Sequence, residues 1–162
     1  MNTTRRFTLL SSLAAVVTLS AAPVLAQAPH VLVPADKVQW GQAPPALPAG
    51  AEIAVLEGNP GARGDVTLRL KMPANYDIPP HWHSMTERVT VLSGALLVGM
   101  GDTLDRQHST ALAPGGFVSL PSKMHHYAFT RTPTVVQITL QGPFDIFYVN
   151  PNDDPQKRPS TR

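Results

Sequence analysis

Prolines constrain this chain more than any other feature. There are 17 of them, with 11 glycines, in 162 residues. With the β-branched runs between them, they leave no helix of ordinary length expected after residue 26. Each proline removes a backbone donor and clashes with the preceding helical turn. Turn signals recur about every eight to twelve residues, the spacing of an all-β sandwich or barrel. Between them lie apolar or alternating runs expected to be strands: 53–56, 66–72, 88–92, 95–100, 117–120, 124–130, 135–140 and 146–149. The run 66–72 alternates most cleanly, with Arg69 and Lys71 on its polar face. Residues 73–80 are read as a break, Ser93-Gly94 as a hairpin turn, and 101–109 as a polar loop.

The ends read differently. Arg5 and Arg6 precede an uncharged run over 9–25, and small residues surround Ala26. This is the pattern of a secretory signal peptide, 1–26, cleaved near Ala26. A retained anchor is the rival reading, but the run is short and only mildly apolar. Sec and twin-arginine export both stay open. The mature chain is therefore expected outside the cytoplasm, in the periplasm if the cell is Gram-negative, with no stable membrane anchor. Residues 27–50 hold five prolines and read as an extended arm, with 38–40 adding an edge strand. Residues 51–150 form the barrel, and 151–162 a polar tail.

Charge and cysteine exclude several function classes. The 13 Lys and Arg exceed the 11 Asp and Glu by two, but Arg5 and Arg6 leave with the signal peptide. The mature chain is formally neutral, and nothing in it asks for nucleic acid or an anionic surface. With no cysteine, a disulfide framework, an iron–sulfur cluster and a thiol nucleophile are excluded.

The histidines carry the chemistry. His81 and His83 are two apart, so on an extended chain they share a face. Glu87 follows four residues later. A straight strand would carry it roughly 13 Å beyond His83 at ~3.3 Å per residue. Residues 84–86 must therefore bend if all three groups meet one ion. A fourth donor must come from far along the chain, and His125 or His126 is the credible source. Three imidazoles and a carboxylate suit a divalent first-row metal: Mn, Fe, Co, Ni, Cu or Zn. His30 and His108 receive no role.

The run Pro80-His81-Trp82-His83-Ser84-Met85-Thr86-Glu87, closing at Gly94, resembles the first cupin motif, H-x-H-x3-E-x6-G. Residues 115–126, with Pro121 and a terminal His125-His126, resemble the second, G-x5-P-x-G-x2-H. The match spans roughly 51–150. It departs at Asn75, where a glycine usually opens the first motif, at Lys123, where a glycine follows the second-motif proline, and at Thr130. The resemblance implies a cupin-type double-stranded β-helix, or jelly-roll, barrel with His81, His83, Glu87 and the second-motif histidine as metal ligands. Counting from Pro121 favours His126 over His125. Parity then sends His126, Ala128 and Thr130 to one face and His125, Tyr127 and Phe129 to the other. By the same alternation Trp82 and Arg88 point away from the metal.

Two function classes follow. In one, the protein is a metal-dependent enzyme, a dioxygenase, isomerase or decarboxylase, that binds a small molecule at open metal positions. No separate general base is identifiable, which favours oxygen chemistry over proton transfer. In the other, it is a non-catalytic module holding a metal or metabolite. A homodimer joined through the arm is a further expectation.

Overall fold

The structure, a computed structural model, describes residues 30–157. The expected signal peptide and the last five residues lie outside that range. Eleven strands form two antiparallel sheets. The strands are β1 Gly41–Gln42, β2 Glu52–Glu57, β3 Gly64–Met72, β4 Asp77–Trp82, β5 Glu87–Ser93, β6 Leu96–Met100, β7 Thr110–Leu112, β8 Phe117–Leu120, β9 His126–Thr130, β10 Thr134–Gly142 and β11 Phe147–Tyr148. One sheet runs β1-β2-β3-β10-β5-β8, the other β11-β4-β9-β6-β7. This is the all-β jelly-roll architecture, and the only helices among the described residues are two 3-10 turns.

Alternation builds the core. On β3, Val66, Leu68, Leu70 and Met72 point inward and face Leu140, Ile138, Val136 and Thr134 of β10 in register. Each such buried aliphatic side chain stabilises the fold by about 1.5–3 kcal/mol. Arg69 and Lys71 lie on the outer face as expected, Arg69 against Gln137 at 3.3 Å and Lys71 against Glu52 at 2.9 Å. Lys71 also sits over the ring of Trp40 at 4.8 Å.

The arm is tied to the barrel. Its edge strand is Gly41–Gln42, not 38–40. The Tyr76 hydroxyl donates to the Pro48 carbonyl and that of Tyr148 to Ala46 at 2.8 Å. Leu47 is buried in the core between them. Burial pushes the Tyr76 phenol up to about 12, so it keeps its proton to donate.

Residues 77–82 correct the expected break. They form a strand despite Pro79 and Pro80, because those residues sit at a bulge. Ile78 faces Ala128 of β9, while His81 faces His126, so β4 spends three steps where β9 spends two. Prolines cannot donate to the ladder, and a bulge is where their missing N–H groups cost least. The short strand β7 also lies in a stretch given no strand in advance.

The expected polar loop 101–109 folds back on the outer face of the second sheet. Leu104 packs on Leu97, Tyr127 and Phe129. The Tyr127 hydroxyl donates to the Asp105 carbonyl at 2.8 Å, and Arg106 lies over Phe129 at 4.8 Å while bonding Asp77 at 2.6 Å. Gly99 permits this packing, since a Cβ there would lie 2.1 Å from the Tyr127 ring.

Candidate metal centre

His81, His83 and His126 come together in the barrel, their donor atoms all within 4.8 Å of one another. Glu87 completes the group, with Oε2 at 3.5 Å from His83 Nε2 and 3.8 Å from His126 Nε2. All four residues are buried. Each arrives by a distinct route. The bulge at Pro79-Pro80 turns His81 inward, and His83 follows two residues on. The bend over 84–86 brings Glu87 to the start of β5, inward with Val89 and Val91. His126 opens β9, directly across from His81.

The orientation of the rings is fixed by the backbone. Nδ1 of His81 lies 2.7 Å from the Pro79 carbonyl, Nδ1 of His126 lies 2.9 Å from that of Met124, and Nδ1 of His83 meets that of Asp145. A carbonyl can only accept, so each Nδ1 carries the proton, and the neutral imidazole presents its lone pair at Nε2. This is the arrangement of a metal-binding imidazole, whose other nitrogen donates to a carbonyl or carboxylate. His83 Nε2 is buried with no hydrogen-bond partner among the described residues. Two donors on one ion at ~2.1 Å can be no more than about 4.2 Å apart, and the observed spacing is of that order. The donor set therefore fits a divalent transition metal.

Charges in the quartet are tuned by burial and by each other. Burial, with His126 and His83 adding, holds His81 well below the usual 6.5. Burial also lowers His126, against the Met124 carbonyl and Glu87. At His83 burial works the same way, but contact with Glu87 outweighs it and the value is raised. At Glu87 burial favours the neutral acid, but His83 outweighs it and holds the carboxyl below its ordinary range. Glu87 is thus ionised among basic nitrogens near neutral pH.

The connection between β10 and β11 supports this geometry, and nothing in the sequence pattern marked it. Asp145 accepts from the Ser84 backbone N–H at 2.8 Å and from the Ser84 hydroxyl, while its own carbonyl holds His83. Phe144 packs near the His83 ring at 5.4 Å. The loop before β9 adds two more ties: Lys123 N donates to the His83 carbonyl at 2.8 Å and the Ser122 hydroxyl to that of Ser84 at 2.7 Å. Asn75 and Lys123, which stand where cupin motifs carry glycine, both have left-handed backbones, φ 58° and 63°. Gly94 keeps the motif residue, with φ 74° and the Pro133 carbonyl 2.3 Å from where a Cβ would be.

The residues set aside fall where parity sends them. Trp82 faces out and stacks on Phe147, ring centres 4.3 Å apart. Arg88 is exposed. His125 is half-buried and paired with Asp102 at 2.5 Å, and the exposed His108 is paired with Asp105 at 2.6 Å.

Solved structures share this architecture. A candidate acetylacetone dioxygenase from Methylibium petroleiphilum superposes with a TM-score of 0.62 at 17% identity, over 80% of this chain and 88% of its own. The polyketide cyclase RemF from Streptomyces resistomycificus gives 0.56 at 19% identity, over 76% and 88%. At such identities the likeness is one of fold. In sequence, Germin-like protein 3-1 of rice, Oryza sativa subsp. japonica, is 30% identical over 82 residues, 50% of this chain; that stretch spans 36% of the rice protein, about a third of its length. Residues 28–145 match the family model described as the ChrR Cupin-like domain. With that match over most of its length and two antiparallel sheets folded around the histidines, the chain belongs to the cupin superfamily.

Proposed function

We propose that this chain is an exported cupin that binds one divalent transition metal through His81, His83, Glu87 and His126 and offers it to a small molecule inside the barrel. One observation carries the reading: three buried imidazoles, each with Nδ1 engaged by a carbonyl, turn their Nε2 lone pairs toward one point beside an ionised Glu87. The basic residues and uncharged run before Ala26 support export. When bound, the metal supplies a Lewis acid with positions left over for substrate oxygens and, if redox-active, for dioxygen. The chain's own residues orient the donors, exclude bulk water and hold the local charge.

A second reading, a binding module without turnover, is favoured by a specific feature. Beyond the quartet, no residue lining the interior can act as a general acid or base. Proton-transfer chemistry is therefore the least supported option. Metal analysis of the protein purified from its native compartment, followed by oxygen uptake with catechols, thiols and diketones, separates the readings. A bound first-row metal with oxygen consumption supports the enzyme. Stoichiometric metal and ligand binding without consumption supports the module. Absence of metal from the native protein, with no uptake on challenge, would falsify the metal centre.

A further inference from the structure

The chamber next to the quartet has a composition that selects its occupant. Its free volume is about 50 Å³, a few times what one buried water needs. The quartet forms its polar end. Every other residue lining it is apolar, from Leu68 and Ile138 in the sheet to Leu47 of the arm and Phe144 and Ile146 of the β10–β11 connection. No lysine, arginine, hydroxyl or amide side chain lines the chamber. Whatever enters can find polar partners only at the metal end.

Resting on the metal reading above, we infer that the site takes a small oxygen chelator bearing at most one negative charge and a short hydrocarbon body, and rejects dianionic acids and polyols. The charge balance decides it. A divalent ion and ionised Glu87 leave one net positive charge, since the three imidazoles contribute none as Nε2 donors. A monoanionic chelator, such as an enolate or phenolate that has released its proton to buffer, brings the site to neutrality. A second carboxylate would place an unpaired charge against aliphatic walls, where no group can solvate it. A sugar would bury hydroxyls with no partners, at a cost for each. Hydrocarbon, in contrast, gains from leaving water.

The test uses two chelators with the same span between their oxygens. Acetylacetone and malonate both present two oxygens across three carbons. They differ in carrying methyl groups or ionised oxygens at the ends. The metal-depleted full chain is loaded with Co(II) and titrated with each, following the visible absorption of the bound ion. The preference for acetylacetone over malonate is compared with that of aqueous Co(II) in the same buffer. The protein should exceed the aqueous preference by about a hundredfold, the order expected when a buried charge is left unpaired. Ile146→Lys, at a half-buried position on the connection, should cut the excess at least tenfold by supplying a cation. Val118→Lys tests the same point from β8 if the first variant does not fold. A protein preference equal to the aqueous one, or tighter binding of malonate, overturns the inference and leaves the metal centre standing. Failure to take up Co(II) at all overturns both.

Discussion

His125 and His126 are joined by one peptide bond, yet their surroundings have almost nothing in common. His125 has 40% of its side chain exposed and pairs with Asp102 in a surface loop. His126 is 2% exposed, its Nδ1 committed to the Met124 carbonyl and its Nε2 turned toward Glu87. Residue type is identical, so the difference lies in which side of β9 each occupies. The same division continues along the strand. Ala128 lines the chamber, while Tyr127 and Phe129 form a separate packed layer beneath the 101–109 loop. A strand buried on both faces thus keeps two kinds of interior apart, one shaped for a ligand and one filled for stability.

The sharpest way to break that contrast is to truncate each histidine in turn. His126→Ala should weaken metal binding by more than about a hundredfold, beyond the 10–100-fold that follows loss of an outer hydrogen-bond partner. His125→Ala should change it by no more than about fivefold, the ceiling for an exposed ion pair. Competition against a chromophoric chelator measures both. Equal losses would mean that the pair has been assigned the wrong way round.

Acid should distinguish the inner histidines from surface ones more gently. His81 and His126 stay uncharged in the folded chain below 6.5, because burial holds their values down. An unfolded imidazole takes its proton near 6.5. The metal-free protein should therefore lose stability as pH falls below 6.5, by up to about 1.4 kcal/mol per pH unit from each. His83 acts in the opposite sense: its raised value contributes stability below 6.5 and loses it as pH rises through that value. Glu87, held low, contributes until pH falls through the carboxylate range. Urea midpoints at pH 5.5 and 7.5 should show the acid loss, and His81→Asn should flatten it. A midpoint unchanged across that interval would contradict the burial argument.

The smallest effect concerns the turn that delivers His126. Lys123 holds a left-handed backbone at φ 63°, a conformation that costs a side-chain-bearing residue about 1–2 kcal/mol. Lys123→Gly should stabilise the fold by about 1 kcal/mol, part of the gain being offset by the greater freedom of glycine when unfolded. Asn75→Gly should gain less, since asparagine tolerates that region. Thermal melts of the two variants would rank them, and a destabilised Lys123→Gly would show that the lysine side chain makes a compensating contact.

Much of the centre could be read from spacing. His81, His83, Glu87 and His126 were recoverable because parity on a strand is strict and a motif fixes the offsets. The requirement that 84–86 bend came from distance alone, and the structure bends there. Asn75 and Lys123 mark glycine positions whose backbone geometry outlasts the glycine. Other features depend on contacts between segments far apart in sequence. Asp145 supports Ser84 from 61 residues away, and no local pattern distinguishes it from other loop acids. The 101–109 loop looks solvated by composition, yet Leu104 and Arg106 pack it down. Leu47 reads as one apolar residue in a proline-rich arm until the arm is seen to line the chamber. The strand at 77–82 was hidden because two adjacent prolines argue against pairing everywhere except at a bulge.

That bulge also sets a reading frame. Upstream of it, even-numbered residues of β4 face inward, as Ile78 does; downstream, odd-numbered ones do, as His81 and His83 do. Pro79 and Pro80 act as a one-residue phase shift between two halves of a strand. A strand of the same length without the bulge would turn both imidazoles outward, without altering a single donor residue, whereas deleting one proline would give a regular ladder with Ile78, His81 and His83 still on one face. The metal centre is therefore encoded as much by the place of the bulge as by the histidines themselves.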